Sequence, residues 1–377
     1  MLTQYYKKTP LMKVINSTLI ELPAPPSISF LWNFGSLLFM CLMMQMISGL
    51  LLASAYSASM EHSFSSTNMM METMDKSWLM RYLHANGASL FFICMYAHIA
   101  RGMYYSSFLF KHTWNIGVSI LLMTMATAFL GYVLPVNQMS YWGASVITNL
   151  FSQVPYIGPN LVHMIWGGVS VHDPTIMRFF TLHFVIPFII VAMVIIHITL
   201  LHQTGSSNPL GLNSASEKII FHPYFSTKDY LGLMAVMLTF AFISIYMPLY
   251  LGDDENFSKA DTTVTPHHIQ PEWYFLYAYA ILRSIPNKLG GVIALLLAVI
   301  ILYLPPLTHM SKYKSTSFYP LNKLMFWAWL CSVALLTWIG MCPVEEPYVL
   351  TGQILTVLYF LYFLLYPLLA NIQDKLS

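Results

Sequence analysis

The chain has 377 residues, 57% of them hydrophobic and only 8% charged, with a formal net charge of +2. Soluble domains carry about 25% charged residues, so the composition excludes a soluble enzyme and a nucleic-acid binder and points to a protein threaded through a lipid bilayer. The four cysteines, Cys41, Cys94, Cys331 and Cys342, form no C-x-x-C or C-x-x-C-H motif, which excludes a disulfide framework and a covalently attached haem.

Met1–Glu21 is polar, carries Lys7, Lys8 and Lys13, lacks an apolar core, and is not expected to be a signal peptide. Apolar runs follow near residues 32–54, 78–104, 113–135, 178–204, 228–248, 290–308, 322–341 and 349–370. Each approaches the roughly 20 residues that a spanning helix needs. The pattern predicts an all-α membrane protein of eight transmembrane helices, with both termini on one side. By loop parity, the terminus side sums to +7 and the opposite side to −5. Basic residues mark the side of insertion, so both termini are expected to face the matrix or cytoplasm.

Between spans three and four, residues 138–150 and 159–167 mix polar with aromatic residues and predict short surface helices. Residues 250–288, with Asp253, Asp254, Glu255 and Asp261, form a connection long enough to suggest function. Two domains are expected, a four-helix bundle over 1–210 and a C-terminal region over 211–377. The last three spans read as scaffold.

Span two contains His84 and His98, and span four contains His183 and His197; both pairs are 14 residues apart. On a helix that step advances about 21 Å and falls about 40° short of four turns. Each pair therefore lies on nearly one face at two depths. A lone histidine in such a helix is as readily a satisfied core residue as a ligand, but ionisable residues in a bilayer are costly and mark function. Span three separates spans two and four, so these run parallel, and His84 is predicted to face His183 while His98 faces His197. Two bis-imidazole haems fit that geometry. Such centres have no open coordination position and move electrons only, tuned by ligation and surrounding polarity.

Gly35 and Gly49 in span one and Gly117 and Gly131 in span three repeat the 14-residue step. Ordinary small-residue helix packing explains either pair alone; both at the same spacing favour a macrocycle edge pressed against backbone. Arg81 and Arg101 lie one turn outside His84 and His98, where each suits a haem propionate. The alternative is an arginine snorkelling at a helix end. Pro187 removes the amide that would bond to the His183 carbonyl, predicting a local bend.

The stretches RYLHANGAS (81–89), AHIARGMYY (97–105), HFVIPF (183–188) and PEWYFLYAYAILRSIPNKLGG (271–291) resemble the mitochondrial cytochrome b family, the core of ubiquinol–cytochrome c reductase (complex III). The resemblance runs from about Trp32 to the C-terminus. It implies two non-covalent haem b groups, ubiquinone as substrate, a Rieske iron–sulfur protein, cytochrome c1 and accessory subunits as partners, a dimeric complex, and the mitochondrial inner membrane. Pro271, Glu272, Trp273 and Tyr274 correspond to the family's quinol-oxidation motif, with Glu272 and Tyr274 catalytic and Tyr132, Gly143 and Tyr279 lining the pocket. A carboxylate among aromatic residues should have a raised pKa, suiting a proton acceptor.

At the inner face His202, Ser206, Lys228 and Asp229 correspond to the quinone-reduction site, His202 and Asp229 being catalytic there. The mechanism implied is bifurcation. One electron from quinol goes to the iron–sulfur partner, the other passes through the His84/His183 and His98/His197 haems to quinone, and protons are translocated. Where the family commonly has Trp-Gly this chain has Val136-Asn137, and Gln203 replaces a common Glu. The competing readings are another dihaem reductase, which would lack the Pro-Glu-Trp-Tyr loop, and a proton-coupled transporter, which would show no visible absorption.

Overall fold

The computed structural model describes residues 9–73 and 75–376; Lys7 and Lys8 of the charge pattern lie outside the described residues. In order, the α-helices are α1 (Pro10–Ile15), α2 (Phe34–Ala53), α3 (Ser63–Thr73), α4 (Ser77–Tyr104), α5 (Lys111–Val133), α6 (Gln138–Asn149) and α7 (Gly158–Trp166). They continue with α8 (Asp173–Thr204), α9 (Tyr224–Tyr246), α10 (Leu276–Ser284), α11 (Lys288–Ile300), α12 (Pro305–Thr308), α13 (Pro320–Met341) and α14 (Tyr348–Leu376). One antiparallel strand pair, β1 (Pro23–Ala24) with β2 (Ile219–Ile220), ties the N-terminal segment to the approach of α9. The all-α expectation holds.

Six helices among the described residues are long and apolar enough to cross a membrane: α2 with its leading turn, α5, α8, α9, α13 and α14. The expectation of eight spans differs at two of them. Helix α4 has 28 residues, about 42 Å at 1.5 Å per residue, but Arg81, His84, Asn86, His98 and Arg101 dilute its apolar character. Helix α11 has 13 residues and continues through a 3₁₀ turn, Ile301–Tyr303, into α12. Pro305 and Pro306 stand at that last junction, where proline opens a helix more readily than it continues one.

Helices α6 and α7 sit where the sequence predicts surface helices. Asn137 starts α6 through a reciprocal capping pair with Ser140, and Gly167 at φ +73° ends α7. Helix α8 runs unbroken through Pro187. Helix α10 lies inside the 250–288 connection, and its Leu276, Ala278, Ala280 and Ile281 are buried. It packs on α11, α13 and α14.

In the N-terminal half the chief contacts are α2 with α4 and α5 with α8. These are two antiparallel helix pairs, so a 14-residue step on one helix meets the same step on its neighbour. Helix α9 covers the α2–α4 pair.

Candidate functional site: two facing imidazole pairs and an acidic pocket

The pairing predicted by helix parity is the pairing found. His84 on α4 faces His183 on α8 with ring centroids 6.1 Å apart, and His98 faces His197 at 6.4 Å. Two imidazole nitrogens bound to opposite sides of one metal, at about 2 Å each, place their ring centroids about 6.3 Å apart. Both separations match that requirement. Among the described residues no three His, Cys, Asp or Glu side chains converge. A bare ion that expects four protein ligands is therefore not served, whereas a planar macrocycle supplies the four equatorial nitrogens itself and asks the protein only for axial ligands.

The outer pair also has the right tautomer. Ser48 Oγ donates to Met44 O at 2.7 Å, so it receives the Nδ1–H of His84 at 2.9 Å. His183 Nδ1 lies 2.8 Å from Thr127 O, which can only accept. Both Nδ1 atoms therefore carry the proton and leave the Nε2 lone pairs for a metal, the arrangement that orients ligating histidines generally.

At the inner pair Arg101 Nη2 lies 3.2 Å from His98 Nδ1, a contact that ligation through His98 Nε2 would release because Nδ1 would then carry the proton. The guanidinium lies 5.0 Å over the Trp32 ring. Arg101 Nε and Trp32 Nε1 are sealed from solvent with no acceptor. Both are donors in want of an acceptor, the kind of partner that an acidic group of a bound cofactor supplies. Sequence reasoning singled out Arg101 and missed Trp32, whose indole N–H becomes meaningful only once α2 lies against α4.

Each repeated glycine stands against one imidazole. A methyl built on Gly49 would lie 3.1 Å from His84 Cε1, on Gly131 2.3 Å from His183 Cε1, on Gly117 3.2 Å from His197 Cε1, and on Gly35 3.7 Å from His98 Cε1. The glycines thus make room for the histidine rings, a closer function than the macrocycle edge expected from spacing.

A cavity of about 330 Å³ opens between His84 and His183, lined also by Gly49, Arg81, Gly131, Tyr132 and Glu272. Glu272 is placed there by its neighbours. Trp273 Nε1 donates to Ser89 Oγ at 3.0 Å, Tyr274 stacks on Phe92 at 4.2 Å between centroids, and Tyr96 OH donates to Tyr274 O. The helix that carries His84 therefore also holds the segment carrying Glu272.

A second, smaller cavity of about 40 Å³ is lined by Tyr132, Gly143, Pro271, Glu272 and Tyr279. Glu272 and Tyr132 form part of the wall of both cavities. Burial, and next the Asp253 carboxylate, push the Glu272 carboxyl up to about 7, while Arg81 and Tyr132 oppose the shift. Tyr132 OH donates to Asn256 Oδ1 at 3.1 Å, and the Arg283 guanidinium lies 5.2 Å from the centroid of the Tyr279 ring. Asp253 and Asn256 line the larger cavity; the sequence marked Asp253 only as part of the acidic connection and did not mark Asn256 as a site residue.

The inner-face residues are less concentrated. His202 lies in the last turn of α8 and Ser206 just beyond it. Lys228 Nζ donates to Ile28 O at 2.6 Å, whereas Asp229 lies beside Ser36. The two are not an ion pair, because successive helix residues point to different faces, and neither is hydrogen-bonded to His202. Of the departures from the family pattern, Asn137 lines the larger cavity, Val136 is buried at φ +50°, and Gln203 is exposed.

The family model described as Cytochrome b/b6/petB matches residues 19–205, and that described as Cytochrome b(C-terminal)/b6/petD matches 259–360. The four histidines lie in the first and Glu272 in the second, while Ser206, Lys228 and Asp229 fall between them. A solved structure titled "Hyperthermophilic respiratory Complex III" is similar over 100% of this chain and 100% of its own, with 30% identity and a TM-score of 0.93.

Proposed function

This chain belongs to the cytochrome b family and is an electron-transfer subunit of the bc1/b6f type, and from that premise we propose that it is the quinol-oxidising core of a ubiquinol–cytochrome c reductase. The observation that carries the reading is the pair of imidazole separations, 6.1 and 6.4 Å, at two levels of one bundle. His84 with His183 and His98 with His197 hold two haem b groups, and Arg81 and Arg101 hold their carboxylates. Bound there, the two haems supply one-electron redox centres near opposite faces of the membrane.

The protein's own side chains handle substrate and protons. Pro271, Gly143, Tyr132 and Tyr279 shape the quinol-oxidation pocket, and Tyr274, packed on Phe92, holds the loop in place. Glu272 takes a proton from the quinol hydroxyl in the smaller cavity and releases it on the side of the larger one, being common to both walls. At the inner face, the His202 imidazole hydrogen-bonds a quinone carbonyl, with Ser206 nearby, and Asp229 and Lys228 deliver protons from the aqueous side. Each charge moved against about 100 mV costs roughly 2.3 kcal/mol, which quinol oxidation must supply.

Residues 1–210 form the haem-holding half and 211–377 the half that carries the quinol loop. The partners are a Rieske iron–sulfur protein, cytochrome c1 and accessory subunits in a dimeric complex. The location is the mitochondrial inner membrane, a reading supported by the resemblance, with both termini in the matrix, an orientation supported by the charge asymmetry of the loops.

Redox titration of the purified complex tests this. Two b-type components are expected; replacing His84 or His183 removes one, and replacing His98 or His197 removes the other. Loss of the same component from His84 and His98 variants overturns the pairing.

A further inference from the structure

The larger cavity has a hydrogen-bond donor that none of the roles above uses. Asn137 lines that cavity and is only 3% exposed. It is the N-cap of α6, and its Oδ1 accepts the Ser140 N–H at 2.8 Å while its own N–H donates to Ser140 Oγ at 2.8 Å. Turning the amide over would forfeit the first of these bonds, so the oxygen is committed and the Nδ2 end is fixed. Among the described residues no hydrogen bond uses Nδ2.

The backbone cannot carry the group elsewhere, because Asn137 bridges Lys259 and the next amide, Gln138 N, donates to Ser258 O at 3.0 Å. Unlike Arg101 Nε and Trp32 Nε1, Nδ2 is not sealed off; it opens onto the cavity that Asn137 lines, where it is a fixed donor for a bound group. The protein's own carboxylates do not provide its acceptor. Asp253 Oδ1 is taken by Glu255 N at 3.0 Å and Oδ2 by Gln270 Nε2 at 3.4 Å. Glu272 stands with Arg81 and Tyr132 and accepts nothing from Asn137.

We propose that Asn137 Nδ2 donates, together with Arg81, to a carboxylate of the prosthetic group seated between His84 and His183. The inference rests on the haem reading above and adds to it a donor that belongs to this chain, since the family's common residue at this place is a glycine, which has no side-chain amide to offer. A donor drawn onto that carboxylate reduces the negative charge felt at the metal and favours the reduced form. The outer redox centre is therefore set higher by Asn137. The inner centre, a 14-residue step away along α4, or about 21 Å, is not.

Redox titration of the assembled complex tests this with Asn137→Ser and Asn137→Asp, following the two b-type components separately. Both replacements keep a good N-cap for α6. Serine lacks the donor's reach, and aspartate replaces the donor with a negative charge. At a fixed ambient potential the reduced-to-oxidised ratio of the outer component should fall about three- to tenfold in Asn137→Ser and further in Asn137→Asp, with the inner component unmoved. Tenfold corresponds to about 59 mV for one electron.

If Asn137 serves only as a cap, Asn137→Ser leaves the ratio within twofold of the parent, whatever the added charge does in Asn137→Asp, and the proposal is overturned. Equal shifts of both components overturn it as well. Arg81→Gln separates the two layers of inference. A shift of the outer component there, with none in Asn137→Ser, retains the haem reading and removes Asn137 from it. A parent complex without two b-type components defeats the haem reading itself.

Discussion

Replacing Gly131 by alanine sets a methyl 2.3 Å from His183 Cε1, 2.7 Å from Nδ1 and 2.9 Å from Nε2. Ordinary contact begins at 3.4 Å, so the ring must retreat by about 1.1 Å. It has nowhere to go: Nδ1 is anchored on Thr127 O at 2.8 Å, and metal–ligand distances tolerate only about 0.2 Å. Gly35→Ala is the opposite case, its methyl 3.7 Å from His98 Cε1, with Gly49 and Gly117 between them at 3.1 and 3.2 Å.

The expected order of damage is Gly131, then Gly49 and Gly117, then Gly35. Overpacking costs about 1–3 kcal/mol, which is roughly 5- to 150-fold in an equilibrium. Gly131→Ala should lose that factor in cofactor occupancy at the outer pair, while Gly35→Ala keeps both pairs loaded. Reduced-minus-oxidised spectra of purified complex, with redox titration to separate the components, measure it. Gly131→Ala retaining the outer component at its parental midpoint, or Gly35→Ala losing the inner one, would refute the steric argument.

Four further outcomes follow from the structure. Glu272 must be ionised to take a proton and its carboxyl sits at about 7, so quinol oxidation should rise as pH passes upward through about 7; Glu272→Gln should flatten that limb and lower the rate by about 10² or more. Because the folded value is raised, the accompanying stability is present below the unfolded carboxylate range and lost as pH rises through about 7, so thermal melts of Glu272→Gln should decline less from pH 5 to 8 than those of the parent. Ser48→Ala removes the acceptor for His84 Nδ1 and should weaken cofactor affinity at the outer pair by about 10–100-fold, sparing the inner pair, as read by haem content per complex. Asp374 accepts from Lys312 N at 2.7 Å and from Tyr319 OH at 2.9 Å; Asp374→Ala strands both donors and should cost about 1–3 kcal/mol, seen as a lower melting temperature with unchanged spectra.

What could be read from the amino-acid order alone was whatever depends on helix periodicity and chain parity. A 14-residue step recurs on one face of any α-helix, so the depths of His84, His98, His183 and His197 and of the four glycines followed from counting, and an odd number of intervening spans made α4 and α8 parallel. Composition sufficed for the apolar helices, α4 among them although its polar ligand-bearing face dilutes its hydropathy, but not for the short α10 buried within a connection. Tertiary packing decided everything that depends on which side chain's last atom meets which neighbour. Ser48 and the Thr127 carbonyl fix the outer imidazole protons, Trp32 and Arg101 bring two unpartnered donors together, Asn137 lines the outer cavity, and Glu272 becomes common to two cavities because Ser89, Phe92 and Tyr96 of α4 hold its neighbours. Hydrogen bonds demand alignment within a few tenths of an ångström, and periodicity carries no information at that scale.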